Sequence, residues 1–417
     1  MTTSEPLAPA EAPTDPFDIF SPAFSQNPYP FYAWLRDHDP VHWGVASDVG
    51  EPGMWHIARY ADVLHILREP RFIHRTRPSL GELPPPVALF LELAGQSLLF
   101  NNPPAHTRLR RLVGKAFTPR AIEDLRVQVV TTSDALLAEL WERERFDVVR
   151  DYAQPLTLTI ISAMLGIPKE AQPQILTWAN ALVRAVDCKR SPEVFVQAGA
   201  VAEEIYAYFV ELIERTRRQP DESILSALIQ AHDAGDSLSE SEIVVTATTL
   251  LMAGHETTVN LIGNGVAALL RTPDQLALLR AQADNPQLVA DAVEECLRYD
   301  APSQMTSRIA STDVEVGGVR VQEGQSVNLL LGSGNRDPEA FSDPDRFDIT
   351  RSENRHLSFG MGIHYCLGAP LARVEGQVAL PALAQRFPTL QMAPEGVTQR
   401  DTIGFRGLAR LIVRQRA

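Results

Sequence analysis

The run from Asp236 to Arg271 repeats apolar residues at helical spacing without a break, and it constrains the fold more than any other part of the chain. Ser239 followed by Glu242 reads as a capping box at its start, and Thr272-Pro273 as its stop. About thirty residues at 1.5 Å each span on the order of 45 Å, enough to cross a whole domain. Thr272-Pro273 also reads as the cap and first turn of a following helix. Ala121 to Leu140, Ala198 to Ile213 and Gln287 to Tyr299 show the same periodicity, the last ending before Pro302. Strands are fewer and shorter. Val314-Glu315-Val316 and Val319-Arg320-Val321 flank Gly317-Gly318 as a hairpin, and Met54 to Ala58 and Leu411 to Arg414 are further candidates. The expected fold class is mainly α with small peripheral β-sheets, an α+β arrangement.

No long linker or repeat interrupts this pattern. Residues 1–15, rich in Pro, Ala, Thr and acids, read as a flexible tail, and 16–417 as a single domain. Of the 417 residues 45% are hydrophobic, which excludes a mostly disordered chain. Lys and Arg number 38 against 52 Asp and Glu, a net charge of −14, which argues against broad nucleic-acid binding. Met1 to Asp15 contains no Lys or Arg and no apolar run, and no segment approaches the roughly 20 apolar residues of a spanning helix. The expectation is a cytoplasmic protein without membrane contact.

Three cysteines, Cys188, Cys296 and Cys366, exclude a disulfide framework, an ordinary iron–sulfur cluster and a structural zinc site. Cys188 and Cys296 read as small buried hydrophobes. Cys366 differs. It ends Phe359-Gly360-Met361-Gly362-Ile363-His364-Tyr365-Cys366-Leu367-Gly368, where two glycines allow a tight loop, and the helical pattern of Leu367 to Phe387 follows directly. Pro370 is tolerated in that helix's first turn. A cysteine at a helix N-terminus is favoured as thiolate, and backbone N–H groups around it suit a metal ligand offered from one side.

Within the long helix, Ala253-Gly254-His255-Glu256-Thr257-Thr258 breaks local rules. Mid-helix glycine costs about 1 kcal/mol relative to alanine. Thr257 and Thr258 add β-branching and hydroxyls that can bond the carbonyl four residues back. Either a functional site or close helix packing at Gly254 explains this.

The cysteine segment resembles the haem-binding loop of the cytochrome P450 superfamily, Phe-Gly-x-Gly-x-His-x-Cys-x-Gly, at every fixed position. The resemblance implies the cytochrome P450 fold and haem b as cofactor, with Cys366 as axial thiolate and metal ligand. Such a ligand pushes electron density to the iron and favours O–O cleavage. Phe359 and Gly360 would belong to the cofactor site. Ala253-Gly254-His255-Glu256-Thr257 resembles the family's Ala-Gly-x-(Asp/Glu)-Thr motif. By that likeness Ala253 and Gly254 leave room over the haem, Thr257 hydrogen-bonds dioxygen or the water beside it, and Glu256 relays protons. His255 would face away. His106 to Arg111 resembles the family's His-x-x-x-Arg helix, so His106 and Arg110, with Arg308 and His364, would hold the propionates. Glu295 and Arg298 resemble the family's Glu-x-x-Arg, which pairs with an arginine of a Pro-x-Arg-Phe segment, here Arg346. Gly334-Asn335-Arg336-Asp337-Pro338 resembles a segment of bacterial members.

The implied function is a monooxygenase that inserts one atom of O2 into a hydrophobic organic substrate, with electrons from an external ferredoxin or similar donor and its reductase, in a monomer. Arg108, Arg111 and Lys115 would form a basic patch for that donor. A peroxide-driven peroxygenase and a non-catalytic haem gas sensor are the alternatives, and the Glu256-Thr257 pair argues against both. Lining candidates by family position are Pro78 to Phe100 with Pro84-Pro85-Pro86, the neighbourhood of Val183, Thr249, Met252 and Ala253, Gln304 to Thr306, and Ile403 to Phe405.

Overall fold

A computed structural model describes residues 18–45, 53–74, 85–115, 117–187, 192–235 and 238–415. The N-terminal tail, Cys188 and most of 78–86 therefore lie outside the described residues.

The helices are α1 Pro22–Gln26, α2 Tyr29–His38, α3 Tyr60–Arg68, α4 Pro85–Gln96, α5 Ala105–Gly114, α6 Pro119–Trp141, α7 Gln154–Met164, α8 Gln172–Val186, α9 Pro192–Arg218, α10 Ile224–Asp233, α11 Glu240–Arg271, α12 Pro273–Ala281, α13 Pro286–Tyr299, α14 Leu331–Gly334 and α15 Ala369–Arg386. The strands are β1 Val41–Gly44, β2 Met54–Ile57, β3 Phe72–Ile73, β4 Arg145–Asp147, β5 Thr306–Ala310, β6 Val314–Val316, β7 Val319–Val321, β8 Ser326–Leu329, β9 Gln391–Gln399 and β10 Leu408–Arg414.

The long helix α11 runs for 32 residues. Both bonds of its capping box form, between Ser239 and Glu242. Its C-terminal half is buried almost continuously from Thr258 to Leu269, because α7, α8, α13 and α15 pack around it. A helix covered on all sides draws its stability from packing rather than propensity, which explains how it tolerates its glycines and threonines. Thr272 does not cap α12 through its side chain; its hydroxyl donates back to the Ala268 carbonyl at 2.9 Å. The main core runs from Phe90 to Val413.

The hairpin β6–β7 turns at Gly317 and Gly318 with φ of 54° and 82°, a conformation that L side chains rarely adopt. A five-stranded sheet of order β1-β2-β8-β5-β3 forms a second core with α3. A three-stranded sheet, β4-β10-β9, joins mid-chain to the C-terminus. The architecture is helical with small sheets at the edge.

Candidate haem site

Backbone geometry builds the cysteine loop. Gly360 and Gly362 have φ of 65° and 72°, and a Cβ on Gly362 would stand 2.5 Å from the Leu67 carbonyl oxygen at the end of α3. Only glycine fits so close an approach with that φ. The Cys366 N–H donates to the Phe359 carbonyl at 2.9 Å and closes the loop. α15 then begins at Ala369 with Pro370 in its first turn. The side chains behind the loop are fixed to α13: Arg373 Nε donates to Glu294 at 2.7 Å, Arg373 Nη1 donates to the Tyr365 hydroxyl at 3.1 Å, and the guanidinium lies 4.7 Å from the Phe359 ring centre.

By its place at a helix N-terminus Cys366 is expected to be favoured as a thiolate. Burial instead pushes the thiol up, against the opposing pull of the Gly368 and Ala369 N–H groups and of Arg110 and Arg373. The residue keeps some open surface. Its ionised form thus calls for a directly bonded cation.

On one side of the loop nitrogen bases crowd together. The His106 and His364 rings are 4.1 Å apart between centres, and the His74 and His364 rings 4.4 Å. His74, His106 and Arg308 are all buried. Both ring nitrogens of His106 and Nε2 of His74 have no hydrogen-bond partner. Burial first, then Arg308 and the other histidines, hold His74 down at about 2; burial, His106, Arg308 and Arg110 hold His364 at about 3. Burial lowers Arg308 to about 10. No carboxylate enters any of these shifts. Orphaned ring nitrogens, and bases that burial and their neighbours keep from charging beside Arg308, are what an anionic partner would pair with, and two propionates match that need. Arg110 Nη2 also donates to the Tyr365 carbonyl at 2.7 Å, tying α5 to the loop. The residues present fit a haem. His74 escaped the sequence reading because an isolated histidine after a two-residue strand carries no local signal; the Asn102 side chain holds it there by bonding its N–H and its carbonyl, each at 2.9 Å.

On α11, Thr249, Ala253 and Thr257 sit four residues apart and so share a face. All three keep open surface inside a largely buried helix. Thr257 Oγ1 donates to the Ala253 carbonyl at 2.7 Å. Gly254 packs tightly: a Cβ there would stand 2.9 Å from Ile161 Cδ1 of α7, so close helix packing accounts for that glycine. His255 points away and its Nδ1 bonds the Thr157 hydroxyl at 2.7 Å. Glu256 is buried, not open to solvent: Arg400 of the segment after β9 forms an ion pair with it, and Asn260 donates to it at 3.2 Å. A second acid, Glu375 of α15, is buried, bonds Thr258 and is pushed up to about 8 by burial.

Two expectations need correction. Arg346 does not complete the Glu295–Arg298 group with its side chain, which is 65% exposed. Its carbonyl accepts from Arg298 Nη2 at 3.1 Å, and Arg351 supplies the second guanidinium, 3.2 Å from Glu295. Arg298 bonds both Glu295 oxygens at 2.7 and 2.8 Å and the carbonyls of Asn335 and Pro344. Arg108 is not available for docking because it pairs with Glu242, whereas Arg111 and Lys115 are exposed. Among lining candidates, Gln304, Met305 and Ile403 are buried against the N-terminal helices, while Thr306 and Phe405 keep open surface.

Residues 84–410 match the family model described as cytochrome P450. The chain is 42% identical over 393 residues to the biotin biosynthesis cytochrome P450 of Bacillus subtilis, covering 94% of this chain and 97% of that one. It is 40% identical to the vitamin D(3) 25-hydroxylase of Pseudonocardia autotrophica, covering 96% of each. The crystal structure of P450BioI in complex with an acyl carrier protein carrying hexadec-9Z-enoic acid superposes with a TM-score of 0.88 at 42% identity, over 94% of this chain and 100% of that one. The chain belongs to the cytochrome P450 family, haem-thiolate monooxygenases with haem b and an axial cysteine.

Proposed function

We propose that this chain oxidises a bulky, neutral, largely apolar molecule in the cytoplasm, with electrons from a separate acidic iron–sulfur protein such as a ferredoxin. One observation carries the residue roles: the open stripe Thr249–Ala253–Thr257 interrupts a buried helix in the same molecule that gathers His74, His106, Arg110, Arg308 and His364 around an uncompensated space. Cys366 holds the iron, and those five residues hold the propionates. When bound, the haem supplies the iron at which dioxygen is split with two electrons and two protons, one oxygen entering the substrate and the other leaving as water. Two of the relatives are described with vitamin D(3) and a hexadecenoyl chain, which suits an apolar guest of similar bulk here.

Thr257 keeps open surface and donates its hydroxyl to the Ala253 carbonyl. Its oxygen lone pairs remain free to accept from a water, so the hydroxyl orders a proton donor beside the reacting oxygen. Glu256 is held by Arg400 through its Oε1, so its part in proton delivery depends on that ion pair. Arg400 is therefore the positioning residue of this relay.

In holoenzyme reconstituted with a ferredoxin and its reductase, Thr257→Ala is expected to keep NADPH and O2 consumption within about threefold while product per NADPH falls by about tenfold or more. Electrons then leave as hydrogen peroxide or water. Unchanged coupling, or turnover sustained by hydrogen peroxide alone, would favour the peroxygenase reading.

Arg111 and Lys115 are exposed at the C-terminal end of α5, the helix that Arg110 ties to the cysteine loop at the Tyr365 carbonyl, and they offer basic charge suited to an acidic donor on a chain of net charge −14. Arg111→Glu should slow first-electron transfer by about tenfold at low salt, with the gap closing at high salt. Stopped-flow reduction under carbon monoxide reads this directly.

A further inference from the structure

Asp187 caps the C-terminus of α8 and is 1% exposed. Its Oδ1 accepts from the Ile403 N–H at 3.0 Å, and its Oδ2 from the N–H groups of Ile403, Gly404 and Phe405 at 3.2, 2.9 and 3.2 Å. Three successive backbone donors aimed at one carboxylate make an anion nest, and hydrogen bonds to an ionised acceptor are the strong kind. The partners are 216 or more residues apart in the chain.

The same turn is fixed from the other side. The Gln304 N–H donates to the Gly404 carbonyl at 2.9 Å, and the Arg406 N–H to the Pro302 carbonyl at 2.8 Å. Asn264 of α11 donates to the Arg406 carbonyl at 3.1 Å. The turn is thus anchored to α11 and to the chain entering β5, and Asp187 ties it to α8. α8 itself packs on α11, which bears the open stripe. Phe405 keeps open surface beside this tie, and Ile403 does not.

We propose that Asp187 is a specificity-determining positioning residue: by clasping the Ile403–Phe405 turn it fixes the separation of α8 from that turn, and so limits the bulk of the molecule that passes to the α11 stripe. The role rests on that stripe being the oxidation site. An apolar contact at this place would allow α8 to slide. A carboxylate shared by three N–H groups does not, since any shift breaks several bonds at once. An amide at this position keeps the shape but turns one oxygen into a donor facing donors.

The test uses haem-loaded wild-type protein, Asp187→Asn and Asp187→Ala. Hydrogen exchange of the peptide spanning 403–405 reads the clasp; imidazole and clotrimazole, both seen by their spectral shift, read passage of a small and a bulky azole. Exchange at these amides should rise by about tenfold or more in Asp187→Asn. Clotrimazole association and dissociation should both quicken by about tenfold, with imidazole rates changed less than about twofold, since only the large ligand feels the separation. Unaltered exchange overturns the clasp. Raised exchange with unaltered clotrimazole rates overturns its link to ligand size, as does an equal change for both azoles. Should Asp187→Ala not fold, Asp187→Asn decides alone. Absence of any azole shift in the wild type would instead refute the reading of the site itself.

Discussion

Cys366→Ala is expected to abolish the red-shifted absorption that the reduced holoprotein shows with carbon monoxide, and with it all monooxygenase turnover. The substituted protein should nevertheless fold and retain part of its haem. The loop is held by groups that alanine keeps: the N–H of residue 366 bonded to Phe359, the glycine conformations at 360 and 362, and the Arg373 bridge to Glu294 and Tyr365. Propionate binding at His74, His106, Arg110, Arg308 and His364 also survives. No described thiol can substitute. Cys296 is buried beside Gly265, and burial and Glu295 push its thiol far above the usual range. The expected product is a haem protein without sulfur ligation, with an ordinary absorption maximum and a weaker hold on haem. If alanine at 366 left the absorption untouched, the assignment of the axial ligand would be wrong.

Helix starts and stops are written in local signals, and the pairing of distant segments is not. The capping box at Ser239 and Glu242 and the glycines of the β6–β7 turn act within a few residues, so their geometry was legible. The five-stranded sheet was not. β2 pairs in parallel with β8 through Trp55 and Val327, strands of four residues each, and nothing in either strand names its partner. The same distinction divides the site. Cys366 sits in a contiguous pattern whose spacing is the signal. His74 acquires its meaning only when Phe72–Ile73 pairs with β5 and delivers it beside His364. Arg351 was missed because a nearer arginine, Arg346, occupied the expected spacing; the backbone turns Arg346 outward and uses its carbonyl instead. Arg400 and Asp187 act across 144 and at least 216 residues, beyond any window of periodicity.

Glu375→Gln should remove a large part of the alkaline instability of the holoprotein. In the folded chain burial raises Glu375 from 4.5 to about 8, and the bond from Thr258 offsets only part of that. The folded state therefore binds this proton more tightly than the unfolded state. Its contribution is fully present below pH 4.5, declines as pH rises between the two values, and is gone above about 8. At 1.36 kcal/mol per unit the full span is on the order of 5 kcal/mol, comparable to a domain's whole stability. Glutamine has nearly the same shape, can keep the partnership with Thr258, and has no charge to bury. Unfolding profiles of wild type and Glu375→Gln should coincide near pH 4.5, separate up to about pH 8 and run parallel above it, with glutamine the more stable; profiles parallel throughout would refute the buried neutral acid. The same protonation has a chemical consequence. At neutral pH Glu375 is an acid holding its proton, on the helix that starts beside Cys366, and bonded to the neighbour of Thr257. Glu256, by contrast, is tied to Arg400 as an ion pair. Of the two buried carboxyls near the open stripe, Glu375 has no cation beside it and burial keeps its proton on at neutral pH, whereas Glu256 is engaged by Arg400.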